Sequence, residues 1–207
     1  MLRREVWGLG VMVILSGCGG TSVSSDSSAV SSGDTSEVVT DNYGRKIPTL
    51  SAEVIGEYLD VINKARASEQ DCGEYGVFEP APALSWSDAL YKASYEHTQD
   101  LVESNTMSHN GSGTASDWTA VDILNGTPSS MKERIERYGY VYYSIGENIT
   151  AGTERDTAQE AIDSWLASDG HCANLMSTKY TEVGMSYLMG EDTNYTHYWT
   201  QNFGKPQ

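Results

Sequence analysis

Residues 183–203, with the sequence VGMSYLMGEDTNYTHYWTQNF, decide the fold class of this chain. Apolar and small side chains alternate from Val183 to Tyr187, and the run from Tyr195 to Phe203 is rich in aromatic residues and Thr. Both patterns are typical of β-strands. Residues 190–194 lie between them and contain Gly, Asp and Asn, which favour turns. The stretch therefore predicts an antiparallel β-hairpin.

The rest of the sequence predicts one more strand and four helices. The run from Tyr142 to Thr150 is rich in aromatic and β-branched residues and predicts the strand. Apolar stripes and end signals predict helices over about Ser51–Arg66, over Ser87–Glu103, from Pro128-Ser129 to Gly139, and after a capping box of Asp156 and Gln159. Strands mixed with helices favour an α/β sandwich with helices on both faces of a sheet.

The first eighteen residues have the pattern of a bacterial lipoprotein signal. Arg3 and Arg4 precede an apolar run of about ten residues, which is too short to span a bilayer as a helix. Leu15-Ser16-Gly17-Cys18 resembles a lipoprotein processing site, and this resemblance implies cleavage before Cys18 and lipid on that residue. An ordinary secretory signal with a chance cysteine is the alternative. Gly19 resembles the outer-membrane sorting choice, so we expect a lipid-anchored protein of the cell envelope, periplasmic or exposed at the surface.

The segment after the signal predicts a tether. Residues 18–47 are mostly Ser, Thr, Gly and acidic residues, and the first aromatic residue among them is Tyr43. Such a composition buries too little apolar surface to offset the entropy lost on ordering, so we expect disorder. With residues 1–17 as the signal peptide, residues 48–207 remain for one domain with a single core.

The charge of the chain excludes one class of partner. It carries 13 Lys and Arg against 29 Asp and Glu, a net charge of −16. A surface this acidic repels nucleic acid, so no nucleic-acid partner is expected, and the expected contact with the membrane is through the lipid.

The cysteines of the chain predict one disulfide bond. If Cys18 carries lipid, Cys72 and Cys172 remain as an even pair in an exported protein, where disulfides form and persist. Two separate buried thiols are the alternative.

Six short motifs follow one another between residues 83 and 204. They are Ala83-Leu84-Ser85-Trp86-Ser87, Ser108-His109, Arg134 with Gly139-Tyr140, Gly146-Glu147-Asn148-Ile149, Trp165 with Ser168-Asp169-Gly170-His171-Cys172-Ala173-Asn174, and Tyr198-Trp199-Thr200-Gln201-Asn202-Phe203-Gly204. In this order they resemble the CAP superfamily of cysteine-rich secretory, antigen 5 and pathogenesis-related 1 proteins, also called SCP domains. The resemblance implies a single α-β-α sandwich domain.

The resemblance also implies a cleft formed by His109, Glu147 and His171. Two neutral imidazoles can ligate a divalent metal ion such as zinc, so His109 and His171 are the expected ligands. A carboxylate such as Glu147 can complete such a site or orient an imidazole through its second ring nitrogen. The three residues are 38 and 24 positions apart, so folding must assemble the site.

The sequence departs from the family pattern in two places. Eukaryotic members usually carry a second Glu three residues after the helix Trp, where this chain has Ser168, unless Asp169 substitutes. The stretch from Asn110 to Ser130 is longer than usual and could overhang the cleft. His97 lies on the apolar face of a predicted helix, so we expect a hydrogen-bonded core residue there.

Three functions are compatible with these features. The preferred one is a surface-tethered binding module whose cleft holds a divalent metal and a small apolar, peptide or glycan ligand. A peptidase-like hydrolase using the metal or a His/Glu pair is the second, and the absent second Glu weakens it. A structural envelope protein in which the three residues only stabilise a buried polar network is the third. The sequence does not decide whether the protein is an enzyme.

Overall fold

The computed structural model describes residues 35–207 and contains a mixed sheet with helices around it. Cys18, the signal over residues 1–17 and the tether as far as residue 34 lie outside the described residues. The strands are β1 Thr35–Thr40, β2 Lys46–Leu50, β3 Gln70–Asp71, β4 Val77–Phe78, β5 Ser85–Trp86, β6 Tyr142–Gly152, β7 Glu182–Met189 and β8 His197–Pro206. The α-helices are α1 Ala52–Arg66, α2 Asp88–Glu103, α3 Trp118–Asp122, α4 Met131–Arg137, α5 Ala158–Leu166 and α6 Asp169–Leu175.

The central sheet of the described residues has the strand order β5-β7-β8-β6. Strands β7 and β8 form the predicted antiparallel hairpin, with Gly184 opposite Asn202. Strand β6 is antiparallel to β8 and pairs Glu147 with the same Asn202. Strand β6 therefore forms one edge of the sheet.

Helices cover both faces of this sheet, so the predicted α-β-α sandwich is confirmed. On one face, α1 and α5 pack against β7 and β8 through Ile62, Ile162, Trp165, Val183 and Trp199. On the other face, α2 lies directly on β7. A Cβ atom at Gly184 would be 2.0 Å from the backbone nitrogen of Tyr91, so glycine is required for this close approach.

The four predicted helices correspond to α1, α2, α4 and α5, with one correction at a helix start. The capping box of α5 is formed by Thr157 and Glu160, whose side chains bond each other's backbone N–H, and the prediction of Asp156 and Gln159 is one residue too early. Helices α3 and α6 were not predicted. Helix α3 has five residues, too few to show a period, and α6 has seven without a glycine to mark its end as Gly139 marks that of the equally short α4.

Residues 35–47 form an ordered ribbon, which corrects the predicted extent of the tether. Strands β1 and β2 pair antiparallel, with Val39 opposite Ile47. The Ile47 side chain is fully buried, and the Asp41 carboxylate accepts from Arg137 at 2.6 Å. The pairing of β1 with β2 is local, but Ile47 packs with Tyr91 and Trp118 and Asp41 bonds Arg137, so residues far along the chain hold the ribbon in place.

The disulfide between Cys72 and Cys172 is present in the structure. Their Cα atoms are 5.4 Å apart, and the bond links two residues separated by 100 positions. It joins the short hairpin of β3 and β4 to α6. Across residues 35–207, no helix is long and apolar enough to cross a membrane.

Candidate functional site

An open groove of about 770 Å³ lies beside the free edge of β6. Residues of α6 and of the loop after it form one part of its wall, and the β3–β4 hairpin forms another. His109, Glu147 and His171 all line this groove. The structure therefore brings the three predicted cleft residues to one place.

Glu147 is a buried carboxylate held in its ionised form. It lies on β6 with its side chain 2% exposed, and its Oε2 accepts from Arg134 Nη2 at 3.0 Å. Burial acts to raise the pKa of Glu147, but the charge of Arg134, the proximity of His97 and the hydrogen bond with His109 outweigh it and hold the pKa at about 2. A permanent negative charge therefore lies beneath the groove.

His109 lies in the loop after α2 and rests on this carboxylate. Its Nδ1 is 2.9 Å from Glu147 Oε1, while its side chain is 54% exposed. An ionised carboxylate only accepts hydrogen bonds, so Nδ1 carries the proton and donates. In the neutral imidazole this tautomer leaves the other ring nitrogen, Nε2, unprotonated and available to a ligand.

Arg134 is the site residue whose role the sequence analysis missed. Its Nη2 donates to the backbone oxygen of His109 at 2.9 Å as well as to Glu147, and its Nη1 donates to the backbone oxygen of Ser129 at 3.2 Å. The guanidinium is therefore both the counter-ion of the carboxylate and a support for the histidine loop. An arginine on the buried side of α4 requires buried acceptors, and this signal could have indicated that Arg134 has a polar partner.

His171 approaches the groove from α6. Its ring centre is 6.4 Å from that of His109, and the two ring planes are inclined by 45°. Asn148 Nδ2 donates to its backbone oxygen at 3.1 Å, which fixes this turn of α6 against β6. Burial lowers the pKa of His171, and the neighbouring His109 adds to this, so the ring is held neutral.

A polar network beneath α6 explains the Gly146-Glu147-Asn148 motif. Asn174 Nδ2 donates to the Glu147 backbone oxygen at 3.1 Å, and Tyr180 donates to Asn174 Oδ1 at 2.9 Å. A Cβ atom at Gly146 would lie 2.3 Å from the Tyr180 hydroxyl, so glycine leaves room for this network.

The sequence of residues 59–203 matches the family model described as CAP, the cysteine-rich secretory protein family. This chain belongs to the CAP family.

Relatives in Bacillus subtilis (strain 168) match this CAP chain at moderate identity. The uncharacterized membrane protein YlbC is 28% identical over 169 residues, which cover 82% of this chain and 38% of that protein. The uncharacterized protein YkwD is 26% identical over 120 residues, which cover 58% of this chain and 38% of that protein. The chain thus spans well under half of the length of either relative.

Two solved structures share the CAP fold with this chain. One is an extracellular protein containing a SCP domain from Bacillus anthracis, with a TM-score of 0.51, 20% identity, and coverage of 78% of this chain and 47% of that one. The other is an outer surface protein from Borrelia burgdorferi, with a TM-score of 0.51, 21% identity, and coverage of 75% of this chain and 91% of that one. These likenesses show the fold.

Asp169 does not take the place of the second Glu of eukaryotic CAP proteins. Its carboxylate accepts from the backbone N–H of Glu74 at 3.0 Å and so holds the β3–β4 hairpin. Ser168 lines the groove instead. The expectation that Asp169 could complete the site is therefore wrong.

The long segment of residues 110–130 also lies elsewhere than expected. None of these residues lines the groove, so the predicted overhang is wrong. Buried carboxylates fold the segment onto the body instead: Asp100 accepts from Ser112 and Ser116, and Asp117 accepts from the backbone of Ser129.

Two other histidines of the described chain have different surroundings. His97 is fully buried, and its Nε2 lies 2.9 Å from the Ser108 backbone oxygen and 3.9 Å from Glu147 Oε1, in agreement with the expected hydrogen-bonded core residue. His197 lies at the start of β8, where its Nδ1 is 2.7 Å from the Tyr187 hydroxyl. His97 therefore supports the loop of His109, and His197 is outside the groove.

We expect His97 to make the protein sensitive to acid. Burial and the Arg134 charge lower the pKa of His97 to about 3. Below about pH 6.5 the unfolded chain binds a proton at this histidine that the folded chain does not, so stability falls by up to about 1.4 kcal/mol per pH unit. The low pKa of Glu147 acts in the same direction at lower pH, from about 4.3 downward.

The variant His97→Gln tests this dependence by urea unfolding between about pH 6.5 and 4.5, above the range in which Glu147 contributes. His171, whose pKa is also lowered, contributes over the same range, so part of the decline should remain in the variant. Glutamine can still donate to Ser108 but does not titrate, so the decline of stability with acid should become shallower. His197→Gln is the matched control and should keep the wild-type decline. An unchanged decline in His97→Gln would contradict the assignment.

Proposed function

We propose that this CAP protein is an envelope-tethered binding module whose groove holds a divalent metal ion between His109 and His171 and takes a small ligand beside it. The observation that carries this proposal is the pair of imidazoles facing one groove, with the Nδ1 of His109 held by an ionised carboxylate. Such carboxylate–histidine pairs orient metal-ligating imidazoles in many metal sites.

The donor set fits a metal site with two protein ligands and open positions. In the described chain, no three His, Cys, Asp or Glu side chains converge as a metal site. Glu147 is engaged by Arg134 and by His109 Nδ1. With Zn–N bonds of about 2.0–2.1 Å and tetrahedral angles, two imidazoles on one ion have ring centres roughly 5 Å apart, so these two rings must approach by about 1 Å from their separation of 6.4 Å to share the ion. Imidazole suits Zn²⁺ or Cu²⁺ better than Mg²⁺.

The two histidines would hold the metal, and Glu147 would keep His109 in the required tautomer. A bound Zn²⁺ supplies a Lewis acid that polarises a ligand oxygen. Arg134 donates to the His109 backbone oxygen, and Asn148 donates to the His171 backbone oxygen. Both backbones are therefore held in place, and the approach of the rings falls to the side chains, of which that of His109 is 54% exposed.

The groove beside the histidines suits a small apolar, peptide or glycan ligand. Its volume of about 770 Å³ is within the usual range of ligand sites, about 300–1,000 Å³. Tyr75, Phe78 and Met176 give its wall an apolar part, and Ser177 with Asn148 gives it polar groups. Catalysis is not part of the proposal, because neither carboxylate is free to act as a base. Asp169 accepts from the backbone of Glu74 in the hairpin, and Glu147 accepts from both His109 and Arg134.

The tethering to the envelope rests on residues outside the described chain. Leu15-Ser16-Gly17-Cys18 and the short apolar run before it support processing and lipid attachment at Cys18. The description of YlbC as a membrane protein and of the Bacillus anthracis structure as extracellular supports the same compartment.

Calorimetric titration with Zn²⁺ tests the metal part of the proposal. We expect the purified protein to bind one ion, and His109→Ala and His171→Ala each to weaken binding by about 10–100-fold or more, since each removes a ligand. His197→Ala is the control and should bind as the wild type does.

Equal Zn²⁺ affinity in the wild type and both cleft variants would contradict the proposal. The three residues would then form a structural polar network. Zinc-dependent cleavage of a peptide mixture that is lost in His109→Ala would instead favour the hydrolase.

A further inference from the structure

The β3–β4 hairpin presents apolar side chains to solvent at the end of the groove. Tyr75 is 56% exposed and Val77 61% exposed, while Phe78 and Pro80 line the groove beside them. Tyr75, Phe78 and Pro80 share the wall of the groove, and Val77 precedes Phe78 in β4; these four residues are called the apolar surface of the hairpin. Exposed apolar residues gathered next to a groove are a feature of interaction sites.

This apolar surface is held rigidly. The tip of the hairpin is the turn of residues 73–76. Cys72, just before it, is bonded to Cys172, and its backbone N–H donates to the Gly76 oxygen at 3.0 Å. The Asp169 carboxylate accepts from the backbone of Glu74 at 3.0 Å. Gly73 has φ +57°, and a Cβ atom there would lie 2.3 Å from Asp169 Oδ2, so the tip requires glycine. A preorganised hairpin loses little entropy when a partner binds it.

The charged residues of the hairpin are all acidic, whereas the groove beside it is also lined by Lys179. Residues 67–91 contain no Lys, Arg or His. Glu69, Asp71, Glu74 and Glu79 surround the tip, and each is exposed. No salt bridge within residues 35–207 neutralises any of the four. A partner that covers the apolar residues must therefore bring positive charge.

We propose that the hairpin of residues 70–80, with the adjoining end of the groove, binds a basic polypeptide segment of another protein. An apolar side chain of that segment would pack on Tyr75 and Phe78, and flanking Lys or Arg residues would face the carboxylates. Tyrosine in such a position is a frequent energetic centre of interfaces, and flanking charges set the rate of association and its salt dependence. This site does not include the histidines and needs no metal, but it shares Tyr75 and Phe78 with the wall proposed for the small ligand, so the two ligands would compete.

Fluorescence anisotropy with a labelled peptide of alternating Lys and Leu residues tests the proposal, in EDTA so that metal binding has no influence. We expect the full chain to bind this peptide, less tightly as salt rises, and not to bind the peptide with Glu in place of Lys. The charge reversal Glu69→Lys, Glu74→Lys and Glu79→Lys should weaken binding by about tenfold or more.

A matched control separates this site from general attraction to an acidic protein. Glu53→Lys, Glu57→Lys and Asp60→Lys on α1 make the same change of net charge on exposed residues and should change affinity by less than about threefold. Tyr75→Ser with Val77→Ser keeps the charges and should weaken binding while keeping the salt dependence. Melting curves verify that each variant is folded.

Equal weakening by the α1 reversal, or equal binding of the Glu peptide, would overturn the proposal. A neutral oligosaccharide that binds through Tyr75 while the basic peptide does not bind would overturn it as well. None of these outcomes depends on Zn²⁺ binding at the histidines.

Discussion

Arg134→Met is expected to lower the free energy of unfolding by about 3–5 kcal/mol. The substitution leaves the Glu147 carboxylate, whose side chain is 2% exposed, without its counter-ion at 3.0 Å. It also removes donors from the His109 and Ser129 backbone oxygens. A buried carboxylate without a partner carries its full desolvation cost, which is why removing one member of a buried pair is so destabilising. Urea unfolding at neutral pH measures the loss.

The same helix offers a matched control for this prediction. Lys132→Met removes a cation from an exposed pair with Glu136 on α4 and should change stability by less than about 0.5 kcal/mol. Adding Glu147→Gln to Arg134→Met should cost less than the sum of the two single changes, because the uncompensated charge is then gone. If Arg134→Met lowers the free energy of unfolding by less than about 1 kcal/mol, the Arg134–Glu147 ion pair does not stabilise the site in the way described.

Cys72→Ala and Cys172→Ala are each expected to lower the free energy of unfolding by about 2–4 kcal/mol. The bond closes a loop of 100 residues, for which the chain-entropy model gives about 4.7 kcal/mol as an upper value. The double variant should be as stable as either single variant, because each single change already breaks the bond.

Reduction provides the control for the disulfide. A reducing agent should bring the wild type to the stability of the variants and should leave the variants unchanged. Free thiols at both cysteines in the denatured, unreduced protein, or a double variant that loses twice as much as a single one, would contradict the prediction.

The long elements of the fold could be predicted from sequence because each shows its period over many residues. The hairpin of β7 and β8, strand β6 and four helices have runs of at least seven residues in which patterning or end signals are visible. Residues 35–40, by contrast, form a strand that the sequence analysis did not predict. The Ser-, Gly- and acid-rich segment before them favours disorder, whereas Thr35, Val38, Val39 and Thr40 are β-branched and favour a strand. The ribbon they join is held by the burial of Ile47 and by Asp41 bonding Arg137.

The residues of the candidate site could be identified by type, but their arrangement could not. The motifs around His109, Glu147 and His171 resemble the family, whereas Asp169 and Arg134 depend on contacts between distant parts of the chain. Asp169 bonds a residue 95 positions away, and Arg134 reaches His109 across 25 positions. Spacing along the sequence does not reveal which carboxylate faces a groove and which holds a turn.

A long-range ¹H–¹⁵N spectrum of histidine-labelled protein tests most directly that Glu147 prepares His109 to share a metal ion with His171. At about pH 7.5, above the titration range of ordinary histidines, we predict a proton on Nδ1 of His109 and none on its Nε2. One equivalent of Zn²⁺ should then shift the Nε2 resonance of His109 and one ring nitrogen of His171, and leave His197 unchanged. A proton on Nε2 of His109 before the addition, or cleft resonances that Zn²⁺ does not move, would contradict the account.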